Sequence, residues 1–217
     1  DPSPPPATPP HPRPLPPCPP QHSGQPRPVV DYTPDEVATW GTILTRLSAL
    51  HARHASAAYN AAAPRLGFTP GAVPQMADVS AALAASSGWR LRPVAGLVTP
   101  RDWLASLAFK HLGATQYMHH ASRPMFTPEP DAAHEIVGHA PLLSHPGFGD
   151  AVAALGRASL GASDEEVAHL VKVYWYVHRR VWLRPRGRRG QGLWRRHPVQ
   201  LWGAREHGIG PRRVPAI

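Results

Sequence analysis

Two histidines set five apart, His134 and His139, carry the densest chemistry of this 217-residue chain. They close the stretch Thr127-Pro128-Glu129-Pro130-Asp131-Ala132-Ala133-His134-Glu135-Ile136-Val137-Gly138-His139, which also holds three carboxylates. Imidazoles and carboxylates at this density suit a metal site better than a core. A zinc-protease helix spaces its two histidines by four, which puts both on one face. At about 100° per residue, a spacing of five turns the second imidazole well off that face. The pair still converges if the helix loosens near Gly138, or if the two occupy adjacent positions around an octahedral ion. Two histidines and one carboxylate with open positions form the facial set of non-haem Fe(II) oxygenases. Two histidines on a helix surface are the plain alternative.

The elements that must position this stretch are mostly helical. Thr33-Pro34-Asp35-Glu36 combines an N-cap, a proline at the first helical position and a reciprocal capping-box glutamate. Val37, Trp40, Ile43, Leu44, Leu47 and Leu50 follow at helical spacing, which predicts a helix to about His54. Asp78 to Ser87 reads as a second helix, stopped by Gly88. Trp89 to Val94 is short and extended and ends in a turn at Gly96. Thr99-Pro100-Arg101-Asp102 opens another capped helix, with Trp103, Leu104, Leu107 and Phe109 inward. Ser163-Asp164-Glu165-Glu166 is a further capping box, followed by Val167, Leu170, Val171 and Tyr174 on one face. The fold class expected is mainly α with little strand, and no internal repeat is visible.

Length allows one domain with a substantial core. Residues 1–28 contain fourteen of the 29 prolines and almost nothing able to pack, so they read as an extended, disordered segment. A proline-rich docking ligand is the functional alternative there. Cys18 is the only cysteine, which excludes a disulfide within the chain and favours a reducing compartment, the cytoplasm first and an organelle second. No apolar run reaches the length of a membrane span, and no signal peptide is visible. A first residue of Asp1 suggests a fragment or a processed product. The formal charge of +9 is local: residues 178–217 carry eleven Arg against Glu206 alone, and the rest holds 12 basic and 13 acidic side chains. The body is therefore not basic, and no nucleic-acid partner is expected of it.

Taken together, these segments resemble the pterin-dependent aromatic amino acid hydroxylases. The resemblance runs in order from Asp31-Tyr32-Thr33-Pro34-Asp35-Glu36-Val37 through Pro74-Gln75-Met76, Leu91-Arg92-Pro93-Val94-Ala95-Gly96-Leu97 and Arg101-Asp102-Trp103-Leu104. It continues through Thr115-Gln116-Tyr117, the Thr127 to His139 block, Ala158-Ser159-Leu160-Gly161 and Tyr174-Trp175-Tyr176. It implies that family's catalytic-domain fold, incomplete at both ends, and a monooxygenase that hydroxylates an aromatic L-amino acid with O2, phenylalanine first. The cofactors implied are Fe(II) and a tetrahydropterin of biopterin or folate type. By the same resemblance His134 and His139 are two iron ligands, and Glu135 is a catalytic carboxylate near the pterin. Gly96, Leu97, Val98, Trp103 and Tyr174 are implied pterin contacts. His119, Thr127, Pro128 and Trp175 are the implied substrate contacts. His119 stands where the family usually carries an Arg, a permanent bidentate partner that a partly charged imidazole does not equal.

The chain leaves the family after Tyr176. There the family continues Thr-Val-Glu-Phe-Gly, whose Glu is its third iron ligand, whereas this chain reads Val177-His178-Arg179-Arg180-Val181-Trp182. Tryptophan has one codon, so reading one base later forces a glycine at Trp182, Trp194 and Trp202. With permissive codons the shifted frame reads V-E-F-G across Arg179 to Trp182 and A-Y-G-A-G-I-L-S-S-F-G-E-L across Gly192 to Arg205. Both strings resemble the family's next motifs, with the forced glycines in place. The expectation is therefore a partial catalytic domain over 29–177 and an Arg-rich, out-of-frame and unstructured tail over 178–217.

Overall fold

The computed structural model describes residues 27–126 and 129–182. The proline-rich segment up to residue 26, Thr127, Pro128 and the tail from residue 183 lie outside the described residues. The capping box at Thr33 forms as the sequence predicts: Glu36 N–H donates to Thr33 Oγ1, and Thr33 N–H donates to Glu36 Oε2 at 2.8 Å. It launches α1, Pro34–His54, whose Trp40, Ile43, Leu44 and Leu47 are buried at helical spacing. The short helix α2, Ala57–Ala62, and a 3₁₀ turn, Ala63–Leu66, lead to α3, Met76–Ser87, which stops at Gly88 with φ 79°. Only a residue without Cβ takes that left-handed conformation at no steric cost.

Next come β1, Arg90–Pro93, then α4, Pro100–Ala108, and β2, His111–Ala114. The two strands pair in parallel, Arg90 beside His111 and Leu91 beside Leu112, with α4 as the crossover. This pairing was not read from the sequence, because strands of this length carry no periodicity long enough to recognise. A π-helical turn, His134–His139, runs without a break into α5, Ala140–Leu143. The helix α6, Pro146–Ser159, was also not predicted: three glycines, Gly147, Gly149 and Gly156, dilute its propensity. They are used for proximity. A Cβ at Gly156 would stand 2.2 Å from Ala108 N and 2.6 Å from Leu107 C, so α6 lies directly on the end of α4. At Gly149 a Cβ would meet Trp89 Nε1 at 2.5 Å.

The last element, α7, spans Asp164–Trp182. The first residues of the expected tail, 178–182, are thus the end of this helix rather than the start of a separate segment. Trp40, Trp89, Leu83, Leu91, Leu104, Leu107, Leu112 and Leu142 belong to one continuous core, fully or almost fully buried. Burying side chains of this size stabilises by roughly 1.5–3 kcal/mol each before entropy is counted. The π turn lies against this core through Ile136 and Val137, both buried. Among the described residues no helix is long and apolar enough to cross a membrane.

Candidate metal centre

The spacing of five is resolved by the backbone. In a π turn the hydrogen bonds run i→i+5, so each turn holds more residues than an α turn and position five returns toward the starting face. His134 Nε2 and His139 Nε2 consequently face each other at 3.1 Å. The loosening expected near Gly138 is what the structure contains. Pro141 contributes to it: it has no N–H for the Val137 carbonyl four residues back. The Tyr59 hydroxyl, from α2, donates to that carbonyl instead at 2.9 Å.

His134 is held at its backbone and His139 at its ring. Asp131 is fully buried, and its Oδ1 accepts the His134 backbone N–H at 2.9 Å, fixing the start of the turn. Its Oδ2 takes His119 Nδ1 in a short ion pair. Through this bond the His119 imidazole ties the 119–126 loop to the foot of the metal helix. Tyr174 Oη lies 3.1 Å from His139 Nδ1. When that Nδ1 carries the proton and donates to Tyr174, Nε2 keeps its lone pair on the His134 side.

Burial makes both imidazoles bases without charge. It pushes His134 well below the usual histidine range, with His139 adding to the effect, and pushes His139 down to about 4. Burial, followed by the charge of Asp131, raises the Glu135 carboxyl to about 8. Neutral imidazoles are the form that binds metal. Two nitrogens each about 2.1 Å from one divalent ion, and at a right angle, stand about 3.0 Å apart. The 3.1 Å between the facing nitrogens fits that arrangement. Ligand atoms of His134, Glu135 and His139 all lie within 4.8 Å of one another. Glu135 Oε2 is 3.9 Å from His139 Nε2.

The other residues singled out in the sequence fall in three places. Trp103, on α4, sets its ring edge against Tyr174 with centroids 4.5 Å apart, which links α4 to His139 through one phenol. Gly96, Leu97 and Val98 form the loop between β1 and α4, where Leu97 and Val98 are exposed. Trp175 is half exposed and meets Tyr174 edge-on at 6.4 Å. Two participants were not singled out. Asp131 was legible only as an acid three residues before His134. His178 is buried, with its ring 4.7 Å from that of His139 and 5.6 Å from that of Tyr174. Its place one helical turn after Tyr174 was the available signal.

A family model described as biopterin-dependent aromatic amino acid hydroxylase matches residues 20–184. The chain is 49% identical over 154 residues to the chloroplastic phenylalanine 4-monooxygenase of Pinus taeda, covering 71% of this chain and 44% of that protein. It is 47% identical over 158 residues to the phenylalanine-4-hydroxylase of Rattus norvegicus, covering 71% of this chain and 35% of the other. Among solved structures, the cold-active phenylalanine hydroxylase of Colwellia psychrerythraea superposes with a TM-score of 0.66 at 28% identity, over 68% of this chain and 57% of that one. The Chromobacterium violaceum enzyme with bound iron(III) and 7,8-dihydrobiopterin gives 0.63 at 28% identity, over 67% and 53%. The chain thus spans less than half the length of these two curated relatives.

Proposed function

From the premise that this chain belongs to the biopterin-dependent aromatic amino acid hydroxylases, we propose that its body is the core of an Fe(II)- and tetrahydropterin-dependent monooxygenase converting phenylalanine to tyrosine. The observation that carries the metal half of this reading is the facing pair of uncharged imidazoles at 3.1 Å. His134 and His139 would hold the iron. A bound iron and pterin supply the electrons and the site at which O2 is activated. The chain's own contribution is placement. Asp131 fixes the start of the metal helix, and Tyr174 orients His139. Glu135, whose carboxyl burial raises to about 8, stands beside that site and is the candidate to orient water and pterin.

The Gly96, Leu97, Val98 loop with Trp103 and Tyr174 forms the pterin wall in this reading. Trp175 and the His119–Asp131 pair mark the amino acid side, together with Thr127 and Pro128. Relatives named phenylalanine 4-monooxygenase and phenylalanine-4-hydroxylase support phenylalanine as the first substrate to test, ahead of tryptophan and tyrosine. The plant and algal relatives are named chloroplastic, so an organelle stands beside the cytoplasm as the compartment.

The reading includes a defect. In the shifted frame the family's Glu falls across Arg180 and Val181, where this chain carries no carboxylate. Two protein ligands in place of three predict weak iron binding and little or no coupled hydroxylation. The test loads the purified chain with Fe(II) anaerobically, measures metal per chain, and assays tyrosine formed from phenylalanine with a tetrahydropterin. A parallel chain carries His178→Thr, Arg179→Val and Arg180→Glu. Weak metal in the first and tighter metal in the second is the expected result. Stoichiometric Fe(II) with tyrosine formation by the first chain would overturn the defect. Sequencing the transcript across the codons for Tyr174 to Arg184 tests its frame-shift origin: a cDNA reading Thr-Val-Glu-Phe-Gly confirms the shift. An inactive binding protein is the second reading, favoured by the loss of that one acid from an otherwise ordered centre. It predicts pterin or amino acid affinity without turnover.

A further inference from the structure

The outer face of the β1–β2 ribbon gathers positive charge away from the imidazole centre. Leu91 and Leu112 are buried, and side chains alternate along a strand, so Arg90, Arg92 and His111 share the opposite face. Arg27 joins them across the edge of β1 that β2 does not cover. There the Leu91 N–H donates to Ser80 Oγ at 3.0 Å, and the Leu91 carbonyl accepts from Arg27 Nε at 3.1 Å. The remaining nitrogens of the Arg27 guanidinium have no partner among the described residues.

Two other cations of the described residues meet carboxylates: Arg101 meets Asp164 at 2.6 Å and Lys110 meets Asp150 at 2.9 Å. Among the described residues no carboxylate pairs with Arg27, Arg90, Arg92 or His111. The crowding is felt. Burial, then Arg90 and Arg92, holds the Arg27 guanidinium below its ordinary range. Burial, then the same guanidinium groups, pushes the His111 imidazole down although its Nδ1 bonds the Phe109 carbonyl at 2.8 Å. Like charges brought together without a counter-charge cost energy that a bound anion would return.

We propose that Arg27, Arg90, Arg92 and His111 form a binding site for a phosphate-type oxyanion on the outer face of the β1–β2 ribbon. The planar forks of the three guanidinium groups match phosphate oxygens. His111 Nδ1 is committed to a carbonyl, so Nε2 is the ring nitrogen left for the ligand. The shared chemistry is a phosphoryl group, from free phosphate or from a nucleotide. The site stands independently of iron, pterin and the activity assigned above.

The test follows the His111 imidazole by NMR in the full chain, in phosphate and in chloride at matched ionic strength, assigned with His111→Gln. A local probe separates this site from the Arg-rich tail. Phosphate is expected to raise the pH midpoint of His111, because an anion stabilises the imidazolium. Arg90→Gln and Arg92→Gln, both at exposed positions, are each expected to weaken phosphate binding at this probe roughly tenfold. Arg65→Gln, which removes an exposed charge from a different part of the surface, should leave it unchanged. Tighter binding of adenosine triphosphate than of phosphate assigns the site to nucleotides, and equal binding assigns it to free phosphate. Equal His111 midpoints in phosphate and chloride overturn the proposal, as does unaltered binding in Arg92→Gln.

Discussion

At the scale of single residues, Asp131 has the widest reach in the centre, since one carboxylate holds both the His134 backbone and the His119 ring. Burial lowers the His119 pKa and Asp131 raises it, by hydrogen bond and by charge, with a net rise. A folded-state value above the unfolded one, about 6.5, fixes the sign. The stabilisation is complete below the unfolded value and is lost as pH rises through the folded one. Denaturant unfolding across pH 6.5 to 8.5, above the range in which His134 and His139 take up protons on unfolding, should therefore show stability falling. His119→Gln should lessen that slope, leaving the share of the raised Glu135 carboxyl, and at the acid end should lose about 3 kcal/mol, the cost of leaving one member of a buried pair alone. A slope unchanged in the variant would assign the pH dependence to another group. Little of this was legible in the sequence. The metal histidines announce themselves by type and spacing. A buried Asp–His pair twelve positions apart announces nothing until the 119–126 loop folds back.

At the scale of elements, the legible parts were those whose causes are local. The boxes at Thr33 and Ser163 and the stop at Gly88 each depend on residues within one turn, and the helices begin or end where those residues say. The helix α6 was illegible for the reason it packs well: glycine lowers propensity while permitting close approach. That argument is testable at Gly156, where an added methyl would meet the backbone of Ala108 and Leu107 rather than a yielding side chain. Gly156→Ala improves intrinsic helix propensity by about 1 kcal/mol. Overpacking against backbone should nevertheless make it a net loss on the order of 3 kcal/mol, lowering Tm by roughly 10 °C. Calorimetry decides between the terms, and a higher Tm would show that α4 and α6 separate more easily than their contact implies.

At the scale of the whole molecule, charge and chemistry are segregated. The imidazole centre sits in a body with a near-neutral balance, while the formal +9 of the chain comes from its C-terminal residues. A chain ending at Trp182 drops nine Arg and one Glu, taking the formal charge to +1 and keeping all of α7. Fluorescence anisotropy with duplex DNA should show binding by the full chain that falls steeply with salt, and none by the shortened one. Retained binding after the cut would place a nucleic-acid surface on the body.

The π turn has a consequence for how such a centre arises. It is a helix that has accepted one extra residue, which it accommodates by widening locally while its flanks keep their packing. Remove any one position between Glu135 and Gly138 and the two histidines stand four apart, the spacing that suits an ordinary α turn. A centre with spacing four and a centre with spacing five are thus separated by a single insertion. The Val137 carbonyl that Pro141 leaves without an N–H is satisfied by Tyr59 from outside the turn. Two histidine spacings that suit different helical turns therefore lie one mutational step apart, and the step is small because the flanks of the helix need not move.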